Sequence, residues 1–202
     1  DPWGRAFAGL PTDSSGDFAW VQHMVKSMAD RTGRMAVVLP QGALFRGGVE
    51  GEIRRFLLEK DHVEAVIGLA PNLFYGTGLA ACVLVLRQRK TPKRAKKVLV
   101  VDASSLFRKG RAQNFLEPEH ATQIRKWVEG FKDAPDHARV VGLQEIEKEG
   151  WTLNISRYVV PPVGEDIPPL PEAVAAFKQA LGRCREAEDH LRCVIKEGGW
   201  LS

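Results

Sequence analysis

The chain has 202 residues and a mass of 22.4 kDa, with 44% hydrophobic and 27% charged residues. That balance excludes wholesale disorder, collagen and a membrane bundle, and the length fits one α/β domain with an extension. The formal charge of +4 is local: Arg87 to Lys97 holds seven basic residues and no acidic one, while the remainder carries 22 basic against 25 acidic residues.

No apolar run reaches the roughly 18 residues of a spanning helix, and no secretory signal opens the chain. It starts DPWGRAFAGLP, without methionine, which suggests a piece of a longer polypeptide. Cys82, Cys184 and Cys193 form no C-x-x-C and have no histidine at ligand spacing. A reduced, cytoplasmic protein without a metal site is expected.

Taken in order, the first hundred residues alternate helical and strand patterns, as in an α/β sheet. Phe18, Val21, Val25 and Met28 make one apolar stripe, with Asp17 placed as its cap and Gly33 as its stop. Met35 to Pro40 is a continuous apolar run, read as a strand covered on both faces. A second helix follows, with Val49, Ile53, Phe56 and Leu57 inward and Glu50, Glu52, Arg54 and Arg55 outward. Val63 to Leu69 and Ala81 to Arg89 are strands separated by too few residues for a helical crossover, so they form an antiparallel pair.

Val98 to Ser104 is a further strand. The stretch from Ser105 to Val160 is less regular, with an exposed loop at RKGRAQN, a helix from Glu117 to Phe131 and an extended LNISRYV. Five prolines between Pro161 and Pro171 make a stiff spacer. Beyond it, Leu170, Val174, Phe177, Leu181, Cys184, Glu188, Leu191 and Ile195 alternate spacings of four and three, a heptad seam with one polar break. Packing on a second chain, or folding back on its own domain, would bury that seam.

Gly76-Thr-Gly78-Leu-Ala-Ala81 superficially matches a dinucleotide fingerprint, but CVLVLR continues as a strand instead of opening the required helix. Phosphate-cradling, zinc-protease and nucleophile-elbow motifs are absent from the sequence. The loop offers Asn72, Phe74, Tyr75 and Thr77: two rings and two hydrogen-bonding groups that either plug the core or face an extruded nucleobase. The basic run Arg87, Arg89, Lys90, Lys93, Arg94, Lys96 and Lys97 follows on the same hairpin, as a solubilising loop or a phosphate contact. Arg46 lies in a strand-to-helix loop, where open α/β sheets place ligands.

Gly33 to Arg87, VLVVDAS, RKGRAQNFL and LNISRYV together resemble the methyltransferase (M) subunit of type I restriction-modification systems, an N6-adenine DNA methyltransferase. Gly16 to Met24 matches the helix after that family's catalytic strand. The family's cofactor-binding glycine turn and its Asn-Pro-Pro-Phe tetrad have no counterpart here, so these residues include no catalytic tetrad and should be inactive alone.

The resemblance implies a fold: the C-terminal half of a Rossmann-like sheet (1–104) ending in an antiparallel hairpin. An irregular extension (105–160), the proline-rich linker (161–171) and a helical subunit contact (172–202) would follow. It also implies Phe74 and Tyr75, with Asn72 and Thr77, at the flipped adenine, and Asp17 and Phe18 beside S-adenosylmethionine, which this piece alone would not hold. Arg46 and the basic run would meet DNA. Val174, Phe177, Leu181, Leu191 and Ile195 would meet the specificity subunit of a complex that also holds a restriction subunit. The competing expectation is a non-catalytic module that clamps DNA and docks the specificity subunit.

Overall fold

The computed structural model describes residues 1–12, 15–160 and 168–198. Helix α1 (Asp17–Ser27) buries Phe18, Val21 and Val25 along the predicted stripe, with Met28 partly buried after it. Its N-cap is Gly16, with no side-chain cap, so Asp17 is a first-turn acid favoured by the helix dipole and not the cap the sequence suggests. Strand β1 (Arg34–Pro40) leads through a 3-10 turn (Gln41–Leu44) to α2 (Gly48–Glu59). There Ile53, Leu57 and Leu58 are buried as periodicity demands, but so are Glu50 and Arg54, while Val49 is exposed. Arg54 is satisfied inside the protein by donating to the carbonyls of Ala43, Arg46 and Trp151 at 3.2, 2.9 and 3.0 Å. Burial lowers its pKa, and the nearby charge of Glu50 does not offset it.

Strands β2 (Val63–Leu69), β3 (Ala81–Arg87), β4 (Lys97–Ala103) and β5 (Ala138–Gly142) complete a five-stranded sheet in the order β1-β3-β2-β4-β5. The β2–β3 pair is antiparallel as the short connection requires, and β3 also pairs antiparallel with β1. β2 and β4 are parallel, and β5 runs antiparallel to β4. One core packs α1, α2 and α4 (Leu143–Lys148) against one face of the sheet; α3 (Pro118–Gly130) covers part of the other through Ile124, Trp127 and Val128. β2 lies between these layers, and all seven of its residues are buried.

β1 departs from its reading as a strand covered on both faces. It is an edge strand whose Leu39 is buried while Val38 is 52% exposed. Arg34, Ala36 and Val38 on its outer face join Ile67, Phe74 and Val83 along an open apolar groove of about 540 Å³ beside α3.

Residues 105–160 are more regular than expected. β5 and α4 tie them to the strands before residue 104 in a single compact unit, Asp1–Pro161. LNISRYV is not extended: Ile155–Arg157 form a 3-10 turn, and Leu153, Ile155 and Tyr158 bury their side chains without a strand partner. The Tyr158 hydroxyl donates to the Thr152 carbonyl at 2.6 Å, and burial pushes its pKa up to about 12.

In the second unit, helix α5 spans Leu170–Glu197, and none of its residues is buried. The helix takes in Leu170 and Pro171, which the sequence reading gave to the linker; residues 161–167 lie outside the described residues. Among the described residues no helix is long and apolar enough to cross a membrane.

Candidate nucleic-acid interface at the carboxyl end of the sheet

Strands β1, β2 and β4 point the same way, so the loops after them and the N-terminus of α1 share one end of the sheet. Ligand crevices of open α/β folds form at that end. The loop after β2 turns sharply at Asn72, whose φ of 57° asparagine tolerates, and again at Gly76, with φ of 76°. It is pinned to the loop after β4: Asn72 Nδ2 donates to the Ala112 carbonyl at 3.2 Å, Asn114 N to the Asn72 carbonyl at 2.7 Å, and Asn114 Nδ2 to the Pro71 carbonyl at 2.9 Å. Asn72 thereby positions the loop. Leu73 packs into the core beneath, leaving Phe74 41% and Tyr75 90% exposed. Thr77 Oγ1 accepts from Leu79 N at 3.1 Å and keeps its proton for another acceptor.

Asp17, Arg46 and Glu50 meet at the same end. Arg46 Nη2 lies 2.5 Å from Asp17, and its Nε pairs with Glu50, which also accepts from Ser15 Oγ at 2.5 Å. The Glu50 hydrogen bond, reinforced by Asp17, raises the Arg46 pKa further and fixes its charge. Phe18, one residue on, is 1% exposed and belongs to the core.

The basic run lies at the opposite end. β3 carries the chain seven residues from Ala81 to Arg87, roughly 20 Å of extended strand, so Arg87 to Lys97 is separated from the aromatic loop by the sheet's full height. Much of its charge is already matched. Glu64 is 1% exposed, and Arg94, Arg87 and Arg34 reach it at 2.8, 3.1 and 3.5 Å. Lys90 Nζ donates to Asp61 at 2.7 Å and to the Lys97 carbonyl at 2.7 Å, and Asp61 also accepts from Lys96 N. Arg89, Lys93, Lys96 and Lys97 are exposed there.

Burial opposes ionisation of Glu64, but hydrogen bonds from Arg94 and Arg87 and the charges of Arg87 and Arg34 outweigh it, so its pKa is lowered. Such a carboxylate stabilises the fold fully above its unfolded pKa, near ~4.3, and the contribution is lost as pH falls through the lower folded value. Glu64→Gln is therefore expected to cost about 3 kcal/mol at pH 7, the lower end for a broken buried pair because the arginines keep access to water. The gap to wild type should close in acid. Equal denaturant midpoints at pH 7 would remove Glu64 from this role.

Sequence reasoning missed Glu64, whose only signal is an acid inside an apolar strand, and the basic hairpin after β4, read as a plain loop. That hairpin pairs Arg108 with Phe115 through both backbone amides at 2.9 Å. Arg108 stacks on the Phe115 ring at 4.4 Å and pairs with Glu117 at 2.5 Å.

The family model for N-6 DNA methylases matches residues 1–166. The MjaVII methylase subunit of a type I restriction enzyme from Methanocaldococcus jannaschii is 36% identical over 186 residues, covering 91% of this chain and 32% of its own length. The HindI methylase subunit from Haemophilus influenzae is 27% identical, covering 91% of this chain and 44% of its own length. A solved type I methyltransferase subunit from Streptococcus thermophilus superposes with a TM-score of 0.73 at 36% identity, over 79% of this chain and 33% of that one. The EcoKI M protein, at 21% identity and a TM-score of 0.60, shares the fold. The chain thus spans about a third to under half of the length of these relatives. With a family model running from Asp1 across the whole sheet, this chain belongs to the N-6 DNA methylase family.

Proposed function

We propose that this chain is the rear portion of the methyltransferase domain, plus the C-terminal extension, of a type I modification subunit. In the intact protein, methyl passes from S-adenosylmethionine to N6 of adenine in DNA, and Tyr75 with Phe74 holds the face of the extruded base. The observation that carries this reading is the exposed aromatic pair on a loop pinned at the carboxyl end of the sheet, in a chain of this family. Stacking on an aromatic ring is sequence-tolerant and worth roughly 1–3 kcal/mol per base. Thr77 supplies a hydroxyl near the base, and Asn72 keeps the loop in place.

These residues do not by themselves cradle S-adenosylmethionine. Phe18 has no free ring face, and the Asp17 carboxylate is taken by Arg46. Asp17 and Arg46 instead form one wall, and upstream chain supplies the others. Parallel crossovers are right-handed. With α1 and α2 on one face, a strand preceding α1 would add in parallel on the far side of β1 from β2, where β1 has no strand neighbour among the described residues. The α5 seam would dock the specificity subunit in the cytoplasm, with the restriction subunit joining the complex. A non-catalytic clamp is the weaker reading, since docking alone leaves an exposed Tyr75 without a use. Supplying the intact protein and its specificity subunit with labelled S-adenosylmethionine and duplex DNA tests this: label should be recovered as N6-methyladenine, and label on cytosine or none at all refutes it.

A further inference from the structure

We propose that Lys109 and Arg111, on the hairpin after β4, grip backbone phosphates of the DNA strand whose base meets Tyr75. This site rests on the base-stacking reading above and adds to it the element that holds the flanking backbone.

Three observations lead there. The hairpin is fastened to the aromatic loop by the Asn72–Ala112 and Asn114–Asn72 hydrogen bonds, so the two lie side by side at one end of the sheet. Its turn is tightly packed and admits only glycine: a Cβ on Gly110 would lie 2.3 Å from the Gln113 carbonyl oxygen and 2.5 Å from the Phe115 ring. The backbone of this turn thus sets where the flanking basic side chains start. Finally, the charges differ in kind. Arg108 is spent on Glu117 and Phe115, whereas Lys109 and Arg111 are exposed and make no ion pair among the described residues.

Two unmatched cations on a hairpin tied to the loop that carries an exposed ring suit a stacked base and nearby backbone phosphates. At the other end of the sheet, Arg87, Lys90 and Arg94 answer to Glu64 and Asp61. The ligand class is a polyanionic nucleic-acid backbone, contacted without regard to sequence.

The test is the salt dependence of DNA binding by the full-length subunit assembled with its specificity subunit, on a target duplex and an unrelated one. Each phosphate neutralised contributes about 0.9 to the slope of log K against log salt. Lys109→Ala with Arg111→Ala should make the slope shallower by roughly 2 on both duplexes, and Lys109→Arg with Arg111→Lys should restore it. An unchanged slope in the alanine variant, while Tyr75→Ala still cuts methyl transfer, overturns the phosphate site and leaves the base reading standing. So does a loss that follows Arg89→Ala with Lys93→Ala instead. Wild-type protein that binds neither duplex overturns both.

Discussion

Tyr75→Ala in the intact enzyme should lower kcat/KM for adenine methylation by roughly ten- to a hundredfold, the equivalent of losing one base-stacking contact, and leave the melting temperature unchanged. The separation between activity and stability follows from burial. Tyr75 is 90% exposed, so its ring contributes almost nothing to the core, and the loop is held by Asn72, Asn114 and Leu73 without it. Phe74 is a less clean probe because it also lines the groove with Ile67 and Val83. Removing it should reduce activity and stability together. A Tyr75→Phe variant keeps the ring and should retain most of the activity, which distinguishes stacking from a role of the hydroxyl. Full activity in Tyr75→Ala would end the base-stacking assignment.

Leu181→Asp with Leu191→Asp in α5 should abolish association with the specificity subunit, weakening it more than about a thousandfold, since each buried unpaired carboxylate costs several kcal/mol. The helix is 28 residues long and buries nothing, yet Val174, Phe177, Leu181 and Leu191 are apolar and exposed along one heptad seam. Helices in proteins gain most of their stability from packing an apolar face, so a seam of this length calls for a partner. The unit Asp1–Pro161 has its own core, and its thermal transition should be unaffected by the two substitutions. Unchanged co-elution of the double variant with the specificity subunit would refute the seam.

Much of the sheet was legible in the sequence because local pattern and tertiary position agree. β2 reads as a continuous apolar run and is buried throughout, and the α1 stripe lands in the core where 3.6-residue spacing puts it. Where the reading failed, longer-range structure decided. The run Met35 to Pro40 looks doubly covered, but its outer face at Val38 is half exposed along an open groove. Glu50 and Arg54 fall on the polar side of a helical wheel, yet Ser15, Arg46 and loop carbonyls give them partners that make burial tolerable. β5 and α4 are five and six residues long, too short for periodicity to register.

The candidate site shows the same limit. Ten residues of sequence suggested that the aromatic loop and the basic run were neighbours, whereas an extended strand between them sets them at opposite ends of the sheet. The hairpin that does adjoin the loop lies some 35 residues further on in sequence, and only the parallel β2–β4 pairing brings it there.

The most direct measurement is methyl transfer to adenine-containing duplex by this chain mixed with a separately made upstream portion of the subunit and the specificity subunit. Transfer is expected only when both portions are present, with the upstream strand seated on the open edge of β1. Binding of S-adenosylmethionine and methylation of DNA by residues 1–202 without that portion would contradict it.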